Sequence, residues 1–284
     1  MGELPASTRL GAIRLRAADL GLLQDFYERA IGLRAIPVDE DVAALGAGDG
    51  RLVELVAHPD APPRPPRTTG LFHLALLVPT RAELARALRR VLRSGWHLSG
   101  ASDHLVSEAL YLSDPEGNGI ELYRDRPRDE WSRDGGELQM ATLPLDLEGL
   151  RAEPGGDDET PSLAEGTTLG HVHLQVSELD PAEAFWVDGL GLDVMVRRYP
   201  GALFVSAGGY HHHVGLNTWA GVGAPRPPTA ARGLDRFDIV LPDAESATAA
   251  RTRVAALTDV TDADGGFLAK DPSGNAVLVR PEPR

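Results

Sequence analysis

Four near-copies of one strand–helix–strand pattern account for most of this 284-residue chain. They open at Gly11-Ala-Ile-Arg-Leu-Arg, Leu71-Phe-His-Leu-Ala-Leu, Gly170-His-Val-His-Leu-Gln-Val and Asp235-Arg-Phe-Asp-Ile-Val. A copy of about fifty residues offers one sheet and one helix, too little to bury an apolar sheet face alone, so the copies must pair. The expected fold class is α+β, with four βαβββ modules forming two curved-sheet domains. The modules span about 9–58 and 70–125 in an N-terminal half of 9–125. After a linker over 126–168, a C-terminal half of 169–284 holds modules at about 169–219 and 232–282.

Copies one and three share a helix. In the first, Leu22, Leu23, Phe26, Tyr27 and Ala30 recur at helical spacing and Gly32 ends the run. In the third, His171 to Ser177 reads as a strand, Pro181 opens the helix, Phe185, Trp186 and Leu190 face the core, and Gly189 and Gly191 act as stops. Copies two and four match through Val78-Pro79 and Leu241-Pro242, each followed by an Ala-rich helix. They match again through Asp114-Pro-Glu-Gly-Asn and Asp271-Pro-Ser-Gly-Asn, each a turn signal feeding a last strand. Pro-rich breaks at His58 to Arg67 and Ala224 to Pro228 read as stiff connectors, and Glu153 to Pro161 as a mobile acidic stretch between halves.

Registering the copies against one another singles out three side chains. The first-strand position of His73 and His171 is Ala12 in copy one and Arg236 in copy four, and the last-strand position of Glu121 is Leu278 in copy four. Neither Ala, Leu nor a permanently charged Arg binds a metal. Two imidazoles and one carboxylate suit a divalent transition metal with open coordination positions. There is no cysteine, which excludes thiolate sites. A net charge of −14 argues against a nucleic-acid footprint or an anionic membrane surface and for a small-molecule partner. With no apolar run long enough for a signal or a span, a cytoplasmic enzyme is expected.

With the strands, Gly70-Leu-Phe-His, Gly119-Ile-Glu-Leu-Tyr, Gly170-His-Val-His and Gly209-Tyr-His-His-His-Val-Gly-Leu-Asn-Thr-Trp, the chain resembles the vicinal oxygen chelate superfamily. Within it, the chain resembles the four-module extradiol catechol 2,3-dioxygenases of Bacillus and actinobacteria. The resemblance covers nearly the whole chain. It implies iron(II), with manganese(II) as an alternative, held by His73, His171 and Glu121. It also implies a catecholic substrate and dioxygen as partners, and ring opening to a semialdehyde. His213 would be the catalytic acid–base, with His211 its rival, while Tyr111 and His104 match the family's substrate-contacting tyrosine and second-sphere histidine. In the better-known enzymes modules three and four carry the ligands. Here they fall on two and three, so those two are expected to pack together.

Each assignment has a plainer rival. A lone strand histidine is ordinarily a core residue bonded to backbone, and the matched positions in two repeats are what favour ligation. Glu121 lies between Ile120 and Leu122, whose period of two turns it to the opposite face, where an unpartnered carboxylate would be costly. His173 shares a face with His171 and is its rival as ligand. Alternation puts His211 and His213 on one face and His212 on the other. His173, His211, Asn217 and Trp219 are expected to border the substrate. A glyoxalase-type isomerase or lyase, and a non-catalytic small-molecule binding or resistance protein, remain alternatives. Exposed sheet edges allow a homo-oligomer.

Overall fold

The computed structural model describes residues 4–38, 41–48, 50–156 and 160–283. The α+β reading holds: each copy is one strand, one helix and three strands. Copy one runs Arg9–Ala17, a helix from Leu20, then Arg34–Ile36, Val42–Ala47 and Gly50–Ala57. Copy two is Gly70–Leu77, helix Arg81–Arg93, then Gly100–Asp103, Ser107–Ser113 and Gly119–Asp125. Copy three is Thr168–Gln175, a helix from Leu179, then Asp193–Val196, Ala202–Ser206 and Val214–Asn217; copy four is Gly233–Leu241, helix Ala244–Ala255, then Val260–Ala263, Gly266–Lys270 and Ala276–Pro281. In copies two, three and four the first strand pairs parallel with the last, and the remaining pairings are antiparallel hairpins.

By contacts the chain divides into two compact units, Leu15–Ala61 with His73–Gly170, and Met1–Arg14 with Pro62–Phe72 and His171–Arg284. The first is held by side chains that repeat in the second. Tyr27, on the helix of copy one, is fully buried and donates to Asp114 Oδ2 at 3.3 Å, while Trp186 Nε1 of copy three donates to Asp271 Oδ2 at 3.4 Å. Each aspartate also caps its own turn: Asp114 Oδ1 accepts from the Glu116 and Asn118 amides, and Asp271 Oδ1 from those of Ser273 and Asn275. The turns need φ > 0 at Gly117 and Gly274 (+88° and +89°), which glycine adopts without the Cβ penalty. Burial, partly offset by these hydrogen bonds, raises both carboxyls above their ordinary value.

Arg90 and Arg253 form a second matched pair. Arg90 is buried and donates to the Ile31 carbonyl at 3.0 Å, at the end of the first helix of its unit, and Arg253 donates to Gly189 and Leu190 at 3.1 and 2.8 Å. Burial pushes Arg90 down to about 10.

The structure departs from the sequence reading in three places. Both long helices of copies one and three finish in π-helical turns, Tyr27–Ile31 and Ala184–Gly189, so Gly189 lies inside its helix and Gly191 (φ +94°) is the stop. Leu22 is 49% exposed, whereas Leu23, Phe26, Tyr27 and Ala30 are buried. The span 126–168 is also more than a linker. It contains a hairpin (Arg133–Asp134 with Glu137–Leu138), an edge strand Leu143–Pro144 and a helix Leu147–Arg151, with Leu138, Leu145 and Leu150 buried. Of the stretch expected to be mobile, 157–159 lie outside the described residues, whereas Glu153 is paired with Arg81, and the Thr160 carbonyl accepts from Arg90. Among the described residues no helix is long and apolar enough to cross a membrane.

Candidate active site

In the unit built from copies one and two, parallel pairing of Gly70–Leu77 with Gly119–Asp125 sets Ala75 opposite Glu121 and His73 opposite Gly119. Period-two alternation then turns His73 and Glu121 to one face, on which Ala75, Ala109 and Tyr123 pack together. His73 Nε2 lies 3.0 Å from Glu121 Oε2, and both side chains are buried. The antiparallel neighbour brings Tyr111 opposite Glu121, its ring centroid 5.7 Å from that of His73.

Tyr111 is tied to His104. His104 Nε2 is 2.6 Å from Tyr111 Oη, and His104 Nδ1 is 2.6 Å from the Ala141 carbonyl. The turn that delivers His104 places Leu105 at φ +69°, which costs a residue with a Cβ about 1–2 kcal/mol. Asp103 offsets this by accepting the Leu105 amide at 2.9 Å. Burial alone would raise Asp103, but Arg126, 2.6 Å away, and the Leu105 amide together hold the carboxyl below its ordinary value.

In the other unit His171 sits on Thr168–Gln175 and is buried. Its ring neighbours are His212, at 4.1 Å between centroids, and His211, at 5.9 Å. The three histidines 211–213 precede the strand Val214–Asn217 and so escape strand alternation. His211 Nδ1 and His212 Nδ1 are 2.7 Å apart. His213 packs on Tyr210, and its Nδ1 accepts the Ala207 amide at 3.2 Å. A neutral ring accepting at Nδ1 carries its hydrogen on Nε2.

His173 lies in an aromatic cluster, with centroids 5.3 Å from Phe72, 5.2 Å from Trp219 and 5.6 Å from Phe204. Its ring covers Gly215, where a Cβ would come within 2.9 Å of it. Asn217 is fully buried; its Oδ1 accepts the Trp219 amide, and its Nδ2 has no hydrogen-bond partner among the described residues. Trp219 is 45% exposed and donates from Nε1 to the Pro200 carbonyl.

Among the described residues, His73 and Glu121 form a buried pair in one unit that could supply two ligand atoms to a metal ion, and His171 is a buried imidazole of the other unit. The donor set fits. Bonds of about 2.1 Å put neighbouring donors about 3 Å apart around one ion, the scale of the His73–Glu121 separation. Two imidazoles and a carboxylate are also the ligand type of iron(II) sites that keep positions open. Sequence reasoning did not single out His212, Phe72, Phe204 or the Ala141 carbonyl. The first three carry a signal, aromatic rings beside the predicted strands; the carbonyl carries none.

Comparison with known proteins gives the family. Residues 9–122 match the Glyoxalase/Bleomycin resistance protein/Dioxygenase superfamily. Over 286 aligned positions, 98% of this chain and 99% of the relative, the chain is 45% identical to the catechol-2,3-dioxygenase of Bacillus subtilis (strain 168). The fold is shared with maize (Zea mays) glyoxalase I, at TM-score 0.60 and 17% identity over 96% of this chain and 92% of that one. It is shared too with a solved protein of Bacillus subtilis subsp. subtilis str. 168, at TM-score 0.67 and 15% identity over 97% and 86%. The chain belongs to the glyoxalase/bleomycin resistance protein/dioxygenase superfamily, and within it to the family of the Bacillus catechol-2,3-dioxygenase.

Proposed function

We propose that the protein is an iron(II)-dependent extradiol dioxygenase that opens catechol, or a substituted catechol, beside its diol to give a semialdehyde. The observation that carries this reading is the buried His73–Glu121 pair in a chain 45% identical to a catechol-2,3-dioxygenase, with His171 as the second imidazole that the matched repeats supply. Those three residues would hold the metal, which when bound supplies adjacent positions for a catecholate and dioxygen and a path for electrons between them. Manganese(II) is tolerated by the same donors.

The protein's own side chains divide the proton traffic. Two protons move in the reaction, one off the diol and one onto an oxygen of the opening ring. Tyr111, backed by His104, suits the first: the diol proton passes to Tyr111 Oη as the tyrosine's own proton passes to His104 Nε2. His213 suits the second, because its Nδ1 is taken by the Ala207 amide and its Nε2–H is a donor. His211 is bonded to His212 and would orient the histidine run beside His171. The Nδ2 of Asn217 is a buried donor that a substrate oxygen would satisfy, offsetting a cost of about 1–3 kcal/mol. His173 and Trp219 would form an aromatic wall for the ring.

The test is oxygen uptake by anaerobically iron-loaded protein on addition of catechol. Uptake matched by ring-opened product supports the reading. Catechol left intact, with turnover of a glyoxalase-type carbonyl adduct in the absence of dioxygen, would replace it with an isomerase.

A further inference from the structure

We propose that a cleft within the second unit, between the helix of copy three and the strands of copy four, binds a small aromatic carboxylate, its ring beside Phe185 and Leu257 and its carboxylate on Lys270 and Arg226. The cleft holds about 600 Å³, within the range of small-molecule sites, and every residue lining it belongs to His171–Arg284. None of them is assigned to the candidate active site, so the inference stands independently of the ring-cleavage reading.

The matched copies show what such a place takes. In copy two, Trp96 follows the helix Arg81–Arg93; its ring centroid lies 4.8 Å from that of Phe26 in copy one, and its Nε1 donates to the Ser113 carbonyl at 2.8 Å. Phe26 precedes Tyr27 as Phe185 precedes Trp186, and Ser113 precedes Asp114 as Lys270 precedes Asp271. In that unit the chain's own indole therefore bridges the two positions. In the other, the helix Ala244–Ala255 is followed by Ala256-Leu257-Thr258-Asp259, with no aromatic residue, and the cleft lies between Phe185 and Lys270. Phe185 forms its floor, and Leu257, 53% exposed, offers an apolar wall that a flat ring would cover.

The charges set the other end of the ligand. Lys270 is the only lysine of the chain, and it ends the strand Gly266–Lys270 at the cleft. Arg226 is fixed across the neighbouring turn: its Nη2 donates to the Pro272 carbonyl at 2.7 Å, and its Cδ lies where a Cβ on Gly274 would come within 3.0 Å. In a chain of net charge −14, neither cation is ion-paired among the described residues. Asp259 also lines the cleft, whereas Asp271 keeps its oxygens on its own turn and on Trp186. Two cations facing one uncommitted carboxylate accommodate one further negative charge, which selects a monocarboxylate. One of its oxygens accepts from the guanidinium and the other from the ammonium, both as charge-assisted hydrogen bonds.

A lone lysine makes the site directly observable. Reductive methylation with 13C-formaldehyde labels Lys270 and the terminal amine alone and keeps the positive charge. Titrating the labelled full-length protein with 2-naphthoate, a bicyclic ring like the indole of Trp96, is expected to move the Lys270 methyl signal to saturation, with acetate at the same concentration leaving it in place. Equilibrium dialysis of unlabelled protein is expected to show the affinity for 2-naphthoate falling about fivefold or more in Arg226→Gln. Thr258→Trp, which fills the cleft with a ring and leaves both cations, is expected to abolish the shift of the Lys270 signal. Absence of saturable binding, an unmoved Lys270 signal, an equal response to acetate, or affinity unchanged in Arg226→Gln overturns the inference. So does a shift that persists in Thr258→Trp.

Discussion

His73 Nε2 lies 3.0 Å from Glu121 Oε2 on neighbouring parallel strands, each pointing from its strand to the same face. This separation is short enough for a hydrogen bond and is also the spacing of two donors around one ion, so the pair can exist before metal arrives and open slightly to receive it. Glu121→Ala leaves two imidazoles and is expected to lower metal retention at least tenfold, read by elemental analysis after dialysis, with the circular dichroism of the fold unchanged. Full occupancy in that variant would contradict ligation.

The buried aspartates give a pH signature. Burial raises Asp114 above its ordinary value of 3.8, so the native state binds a proton more readily than the unfolded chain. Its contribution is therefore complete below about that ordinary value and is lost as pH rises through the raised one. The stability gap between the native protein and Asp114→Asn, measured by urea unfolding, is expected to be widest at the acid end and to narrow toward neutrality. A gap that widens with pH would contradict the direction of the shift.

Gly215 is required by the ring above it. A Cβ there would stand 2.9 Å from His173, in a cluster already bounded by Phe204 and Trp219, so the ring must move or the strands must part. Gly215→Ala is expected to cost about 1–3 kcal/mol and to lower the thermal midpoint. Substitution without cost would mean that His173 is free to turn.

Arg90 ties the end of one helix to the segment preceding copy three. Replacing it with Met removes the donors of the Ile31, Thr160 and Ser162 carbonyls, and is expected to destabilise by about 2–4 kcal/mol in chemical denaturation. An effect below half a kcal/mol, a threshold of about the size of surface substitutions, would show those carbonyls satisfied by water instead.

Much of this architecture is legible in the sequence because repetition supplies an internal control. The four first strands, the matched turns at Asp114 and Asp271, and the absence of ligand side chains at Ala12, Arg236 and Leu278 are all visible without a structure. So is the turn of His73 and Glu121 to one face of their unit, since strand periodicity determines which face each occupies. What lies beyond the pattern is whatever depends on backbone groups or on neighbours distant in sequence. The π-helical turns Tyr27–Ile31 and Ala184–Gly189 have no residue that signals them. The histidine run was assigned faces by alternation, yet it precedes its strand, so alternation does not govern it. The Ala141 carbonyl beside His104 Nδ1 is a group every residue has, and its Pro-, Gly- and charge-rich surroundings read as linker, although Leu138, Leu145 and Leu150 are core residues.

The most direct test of the whole account is an anomalous-scattering map of iron-loaded crystals recorded at the iron edge. The account predicts one strong peak within bonding distance of His73 Nε2, a Glu121 carboxylate oxygen and a His171 ring nitrogen. A peak lying elsewhere, or one touching Glu121 and His73 with His171 out of reach, would contradict it.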